Sequence, residues 1–163
     1  MGYRQLGPAE HAAAVEIAEA EGIPAPCAAQ LPYNLALRTH VETPEAVEAL
    51  DTSGAGIVAS FVLHGGVLTG KYSNVPASGR MTDELNDPEL QPVLETARSL
   101  EALATRLGTT AAALAIAFAL ANTRVATVLF GATTPEQVVE NTHAAAFLEQ
   151  LGPTTLAELQ AIT

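Results

Sequence analysis

Two side chains with proton-transfer chemistry stand where apolar, strand-like runs end. His64 begins the glycine-rich segment 64–72, and because an imidazole titrates at about pH 6.5 it could act as an acid or a base. Tyr33 follows another apolar run and could donate a phenolic proton. The alternatives are a solvent-facing loop histidine and a tyrosine packed against a neighbouring loop. The sequence therefore predicts His64 and Tyr33 as candidate catalytic residues, with both alternatives open.

The stretch 124–141 combines features that favour a phosphate ligand. Residues Val125 to Phe130 are apolar and β-rich, which indicates a buried strand, and Gly131 lets the chain turn. Thr134 is placed as the N-cap of a helix with Pro135 at its first position. Free backbone amides at such a helix start, together with the helix dipole, favour a phosphate by about 0.3–1 kcal/mol.

Three segments resemble the aldo-keto reductases. Residues 131–141, GATTPEQVVEN, resemble the last βα segment of that family, which grips the adenosine-phosphate end of NADP. Residues 65–72, GGVLTGKY, resemble the loop after its strand seven, and residues 30–35, QLPYNL, resemble the end of its strand six. The order and spacing of the three motifs make the match specific. It extends over almost the whole chain but corresponds only to the second half of the family's barrel.

The resemblance implies a set of NADP contacts. Gln30 matches the family glutamine at the nicotinamide amide, although a polar residue closing a strand end is an equal alternative. Thr133, Gln137, Glu140 and Asn141 match family contacts at the adenosine end. The cofactor expected from the resemblance is NADP, and the alternative is no cofactor.

Several positions depart from the family pattern at the nicotinamide end. Arg4 and Gln5 stand where the family has the Ser-Asn pair that holds the carboxamide. Ser60 replaces the aromatic that stacks on the nicotinamide, which removes about 0.5–1.5 kcal/mol of ring packing. Phe61 puts a bulky side chain near the diphosphate path. The half of the cofactor site that redox chemistry needs has therefore changed most.

The family's proton-handling groups are not found in this sequence. Its catalytic Asp, Tyr, Lys and His lie on the first half of the barrel, so none can be carried over, and losing a positioned acid–base group costs about 10²–10⁴-fold in rate. Thr133 and Thr134 stand where a cation for the 2′-phosphate is common. Lys71 and Tyr72 follow the family pattern outside its tetrad and are interpreted as structural.

Length, charge and cysteine content narrow the class of protein. A chain of 163 residues predicts one domain, 1–163, and nearly half of it is hydrophobic. The net charge of −11 argues against nucleic acid and membrane as partners. Cys27 is the only cysteine, which fits a reducing cytoplasm. The sequence shows no signal peptide, no long apolar run and no metal-binding motif.

Strand and helix patterns alternate along the chain and predict an α/β fold with parallel strands and covering helices. With the resemblance, this indicates half of a TIM-type (β/α) barrel. Three strands leave two edges with unpaired backbone groups, so we expect a homo-oligomer or a partner chain to cover them. The predicted strands are 27–31, 57–62 and 125–130; the predicted helices are 8–21, 43–51, 88–107, 111–121, 135–146 and 153–162; and a long polar loop spans 73–88.

Three functions are compatible with these observations. The first is a repurposed, non-redox small-molecule enzyme, such as an isomerase, a dehydratase or a cyclase of a biosynthetic pathway. The second is an NADP-dependent oxidoreductase whose catalytic half lies on another chain. The third is a non-catalytic nucleotide-binding or scaffold protein, which the potassium-channel beta subunits of this family suggest is possible.

Overall fold

The fold follows from helix caps and glycine stops that the sequence encodes locally. The computed structural model describes residues 8–73, 79 and 81–162. The hydroxyls of Thr43, Thr110 and Thr134 each accept a hydrogen bond from a first-turn amide and so begin a helix. Gly54 and Gly108 adopt a left-handed conformation, with φ of 62° and 65°; Gly54 ends the helix that Thr43 begins, and Gly108 ends another.

The described residues form three strands and seven α-helices. In chain order these are α1 Pro8–Glu21, β1 Ala28–Pro32, α2 Thr39–Glu42, α3 Pro44–Ser53, β2 Gly56–Ser60, α4 Gln91–Leu107, α5 Ala111–Leu120, β3 Val125–Val128, α6 Pro135–Gln150 and α7 Pro153–Ala161. Two 3-10 helices, His64–Thr69 and Thr82–Glu84, lie between β2 and α4.

The strands form a parallel sheet in the order β1-β2-β3. One row across the sheet pairs Gln30 with Val58 and Val58 with Thr127. A register shift between Ile57 and Val58 interrupts the β2–β3 ladder. Within the described residues β1 and β3 are the two edges, and the carboxyl ends of all three strands meet at one end of the sheet.

In the described part of the chain, β1 and β2 bury the side chains of one face of the sheet more deeply than those of the other. On β1 the buried side chains of Ala29 and Leu31 alternate with the exposed Ala28 and Gln30. Helix α5 is apolar on all sides, and its residues from Ala111 to Ala119 are all buried. The prediction of an α/β fold that corresponds to part of a barrel is confirmed, whereas the single-domain prediction for 1–163 is not tested.

Some predicted boundaries differ from those observed. Helix α4 begins at Gln91, three residues after the predicted start, and α6 continues to Gln150. Helix α2 was not predicted because it has four residues, too few for a periodic pattern, and its N-cap residue Arg38 makes no side-chain capping bond. Arg4 and Gln5, which differ from the Ser-Asn pair of the family, lie outside the described residues.

In the described part of the chain no single helix is long and apolar enough to cross a membrane; only α4 and α5 taken together, bent by 100°, meet that test on length and composition.

Candidate functional site

A pocket of about 730 Å³ lies at the carboxyl end of the sheet. The segment that follows β2 forms one wall, and the β3–α6 turn with the first turns of α6 forms the other. Helix α5 contributes Thr110 and Ala112 from its start. This is the end of a parallel sheet at which ligands bind in α/β proteins. The walls are lined by Phe61, Val62, Leu63, Gly65, Gly66, Thr69, Lys71, Leu129, Phe130, Gly131, Ala132, Thr133, Gln137, Glu140 and Asn141.

Four polar residues of the α6 wall converge on this pocket. Thr133 precedes α6. Gln137, Glu140 and Asn141 lie within the helix at helical spacing, so they share one of its faces. Asn141 is only 5 % exposed, and its side chain is one of those that line the pocket. A carboxamide can both donate and accept hydrogen bonds, so the side chain of Asn141 could pair with a polar ligand in this pocket.

The amides at the start of α6 are not free, which corrects the expectation that they would hold a phosphate. Oε1 of Gln137 accepts from the Thr133 amide at 2.8 Å and from its hydroxyl at 3.1 Å. Thr134 caps the amide of Gln137 at 3.3 Å. The carboxylate of Glu136 binds its own amide and the Thr134 hydroxyl, and these bonds lower its pKa. The helix start therefore offers satisfied donors and a negative charge.

Positive charge comes instead from the opposite wall. Lys71 is the only lysine of the sequence and the only cationic side chain among the described residues that line the pocket. Its Nζ lies 4.8 Å from the ring centroid of Tyr72. A Cβ atom added to Gly66 would lie 2.7 Å from Cε of Lys71, and one added to Gly79 would lie 2.8 Å from Nζ. Because neither glycine has a Cβ atom, the side chain of Lys71 can occupy the space beside them.

Comparison with known proteins identifies the family. The model of the Aldo/keto reductase family matches residues 4–163. This chain belongs to the aldo/keto reductase family. The identification confirms the resemblance read from residues 30–35, 65–72 and 131–141. Aldo/keto reductases generally bind NADP.

Curated relatives of this aldo/keto reductase chain carry potassium-channel names. A putative voltage-gated potassium channel subunit beta of Schizosaccharomyces pombe is 34% identical over 146 residues, which cover 85% of this chain and 42% of the relative. Probable voltage-gated potassium channel subunits beta of Oryza sativa and Arabidopsis thaliana are 35% and 33% identical over 144 residues, covering 84% of this chain and 44% of each relative. The chain thus spans less than half the length of these relatives.

The structure places Gln30 away from the pocket. Its side chain is exposed on β1 and does not line the pocket that the other four predicted cofactor residues share. The pocket therefore unites the predicted adenosine-end contacts of the aldo/keto reductase chain and leaves out the predicted nicotinamide contact. The assignment of Gln30 to the nicotinamide stays a prediction.

Tyr33 is buried among helices. It is 2 % exposed, its ring centroid lies 5.4 Å from that of Phe118, and its hydroxyl donates to Oε1 of Glu42 at 2.5 Å. Burial first, and then the bond to the Glu42 carboxylate, raise the pKa of the phenol above its usual range. A phenol that holds its proton this firmly is a weak acid, and Tyr33 does not line the pocket. Its catalytic role stays a prediction.

His64 lies next to the pocket rather than in its lining. Its ring packs against Phe61, a lining residue, with centroids 4.6 Å apart and an angle of 44° between the rings. Burial lowers the pKa of the imidazole. Neither His64 nor Tyr33 is among the residues that line this pocket, and the catalytic role of His64 also stays a prediction.

Sequence reasoning missed Lys71 and Asn34 as functional candidates. Lys71 was interpreted as structural. It is the only lysine of the sequence and lies on a glycine-rich loop, and these two features could have indicated a binding role. Asn34 belongs to the motif 30–35, but its role could not be read from that motif, because its partners Phe61 and His64 lie about thirty positions away along the chain. No group of three or more His, Cys, Asp or Glu able to hold a metal ion occurs among the residues described.

Proposed function

We propose that this chain is the nucleotide-binding half of an NADP-dependent aldo/keto reductase and that its pocket binds the adenosine-phosphate end of the cofactor. The main support is the convergence of Thr133, Gln137, Glu140 and Asn141 on one pocket opposite Lys71. The carboxamide of Asn141 can donate to and accept from the edge of a base, and the ammonium of Lys71 can pair with a phosphate.

The groups around the pocket fit one part of the cofactor better than the other. Polar side chains and a cation are present for a base and a phosphate, whereas Gln30 lies elsewhere and Ser60 replaces the stacking aromatic. No tyrosine or histidine is among the described residues that line the pocket, so none of these supplies the phenol or imidazole that could act as the proton donor of a reductase. When bound, NADPH would supply the hydride, and the residues of this chain would hold and orient its adenosine end.

The repurposed isomerase, dehydratase or cyclase gains no support from the structure or from the relatives. Its proposed acid and base, Tyr33 and His64, occupy different surroundings, and the first is committed to Glu42. The channel-subunit names belong to relatives of which this chain covers only 42% to 44%, and no contact among the described residues supports that role here.

We also propose that a second polypeptide, a partner chain or another copy, covers the sheet. Among the described residues β1 and β3 each pair with one neighbouring strand only, which leaves backbone groups on their outer sides for another strand, and Ala28 and Gln30 are exposed on the sheet. Light scattering after size exclusion tests this, since one copy has a mass of 16.8 kDa. A single-copy mass for the purified chain, with no partner captured, would overturn it.

Calorimetric titration with NADPH and with 2′,5′-ADP tests the nucleotide proposal. Because the pocket fits the adenosine end, we expect both ligands to bind at micromolar concentration with affinities within about threefold of each other, a difference under about 0.7 kcal/mol. Lys71 adds a second readout: NADPH should protect this single lysine from acetylation, followed by mass spectrometry. Absence of binding by both ligands at millimolar concentration would overturn the proposal.

A further inference from the structure

Two residues other than glycine adopt left-handed backbone conformations beside the pocket. Phe61 has φ of 57° and His64 has φ of 47°, and they bracket the turn between β2 and the first 3-10 helix. Such a conformation costs about 1–3 kcal/mol per residue and persists only where the surroundings hold it in place. The next two residues, Gly65 and Gly66, have φ of 63° and 93°. The pocket wall is therefore strained where Phe61 joins it.

The carboxamide of Asn34 contacts both ends of this turn. Asn34 is 0 % exposed, and its Oδ1 accepts from the amide of Ala36 at 3.0 Å. Its Nδ2 donates to the carbonyl oxygen of Phe61 at 2.8 Å and lies 3.4 Å from Nδ1 of His64. The backbone amide of His64 donates to the same Phe61 carbonyl at 2.9 Å. One buried side chain thus contacts both strained residues.

The partners of this carboxamide fix its orientation. The amide of Ala36 can only donate and the carbonyl of Phe61 can only accept, so Oδ1 must face Ala36 and Nδ2 must face Phe61. The second proton of Nδ2 then points to Nδ1 of His64, which has to accept it. A neutral imidazole that accepts at Nδ1 carries its proton on Nε2. The network therefore selects one tautomer of His64.

Phe61 connects this hydrogen-bond network to the pocket. The ring of His64 packs on the ring of Phe61, which lines the pocket and is 38 % exposed. We propose that Asn34 is a positioning residue for the nucleotide pocket: its carboxamide fixes the imidazole of His64 and the strained turn that places Phe61 in the wall. This inference rests on the proposed function, because the ligand whose binding it affects is the nucleotide.

Nitrogen NMR of the imidazole in the full chain tests the network without any ligand. We expect His64 of the wild type to be neutral, with its proton on Nε2; the variant His64→Gln assigns the resonance among the four histidines. Asn34→Asp keeps the acceptor for Ala36 and nearly the same volume but replaces the donor with a carboxylate. In this variant we expect the proton to move to Nδ1 of His64. The same tautomer in both proteins would overturn the inference.

NADPH affinity provides the second arm, with Asn122→Asp as the matched control. Oδ1 of Asn122 similarly accepts from the amide of Arg124 at 3.0 Å, but Asn122 is not among the residues that line the pocket. We expect Asn34→Asp to weaken NADPH binding about tenfold and Asn122→Asp to change it by less than about twofold. Equal effects would overturn the positioning role. Where Asn34→Asp fails to fold, Asn34→Ser is measured in its place.

The two arms separate the two proposals. A wild type that shows the expected tautomer but does not bind NADPH would overturn the proposed function and, with it, the role of Asn34 in nucleotide binding. A wild type that binds NADPH while Asn34→Asp retains both the tautomer and the affinity would overturn the role of Asn34 alone.

Discussion

Tyr33 donates its phenolic proton to the carboxylate of Glu42, and the two oxygens lie 2.5 Å apart. The bond joins the end of β1 to α2, and Asn122 approaches the same phenol with its Nδ2 at 3.4 Å. Phe118 of α5 packs on the ring. These contacts make Tyr33 a link between the sheet and its covering helices.

Tyr33→Phe should therefore lower stability and leave the pocket unaffected. Losing a hydrogen bond to a charged partner that is itself partly exposed should cost about 1–2 kcal/mol in the free energy of unfolding. Urea denaturation measures this loss, and NADPH titration should show an unchanged dissociation constant. A clear loss of nucleotide affinity in a stable Tyr33→Phe protein would show that Tyr33 belongs to the functional site after all.

Lys71→Gln should weaken nucleotide binding by removing the positive charge of the pocket. A hydrogen bond between an ammonium and a phosphate contributes about 1.5–3 kcal/mol, which is roughly a 10- to 150-fold change in the dissociation constant. Arg98→Gln, on the exposed side of α4, changes net charge equally and is the control. Comparable losses in both variants would indicate a long-range charge effect and would argue against a contact with Lys71.

Gly66→Ala should reduce binding through the same lysine. A methyl group at Gly66 would lie 2.7 Å from Cε of Lys71, so the ammonium has to move. Gly108→Ala is the control, because Gly108 also has positive φ but a Cβ there meets nothing within 4 Å. Both variants should lose about 1 kcal/mol or more of stability from backbone strain. Only Gly66→Ala should also lose NADPH affinity in calorimetry.

Arg38→Ala should release the carboxyl end of α7. The guanidinium donates to the carbonyl oxygens of Gln160 at 2.9 Å and Ile162 at 2.6 Å, and it lies 4.6 Å from the centroid of Phe118. We expect about 2 kcal/mol of lost stability and faster hydrogen exchange in α7. Arg106→Ala breaks the exposed ion pair with Glu158 of the same helix and should change little. Equal rates of amide hydrogen exchange in α7 of both variants would show that the bonds from Arg38 do not hold the end of this helix.

Stability should fall in mildly acidic solution because of His64. Burial depresses the pKa of its imidazole in the folded state, so the unfolded chain binds the proton more readily. The contribution of His64 to the free energy of unfolding is fully present above the pKa of the imidazole in the unfolded chain, about 6.5. It is lost as the pH falls through that pKa towards the lower pKa of the folded protein. Urea midpoints of the wild type and of His64→Gln between pH 5 and pH 8 measure this, and the variant should show the smaller loss. Parallel curves would contradict it.

The sequence predicted the elements whose signals are local. Thr43, Thr110 and Thr134 start helices because a hydroxyl and the amide it caps lie three residues apart. Four of the pocket residues could be found for a similar reason, since they belong to one motif around the start of α6. What the motif could not show was whether the amides there were free. Side chains of the same segment, Gln137 and Glu136, already satisfy amides at this helix start.

The rest of the site depends on contacts between distant segments. The position of Lys71 is set by Gly66, Gly79 and the ring of Tyr72, and no spacing rule connects those residues to the pocket. Asn34 meets its partners only after β1 and β2 have paired. A side chain whose role is decided by such tertiary contacts is not visible in a single sequence.

The all-apolar surface of α5 governs how this protein behaves outside its native state. An unfolded molecule exposes the ten uncharged residues AAALAIAFAL in one uninterrupted run. Such a run is prone to aggregation when chains meet, because nothing on it repels a neighbour. Heating should therefore precipitate the protein before equilibrium is reached, and urea, which keeps the run dissolved, is the denaturant that can yield reversible energies.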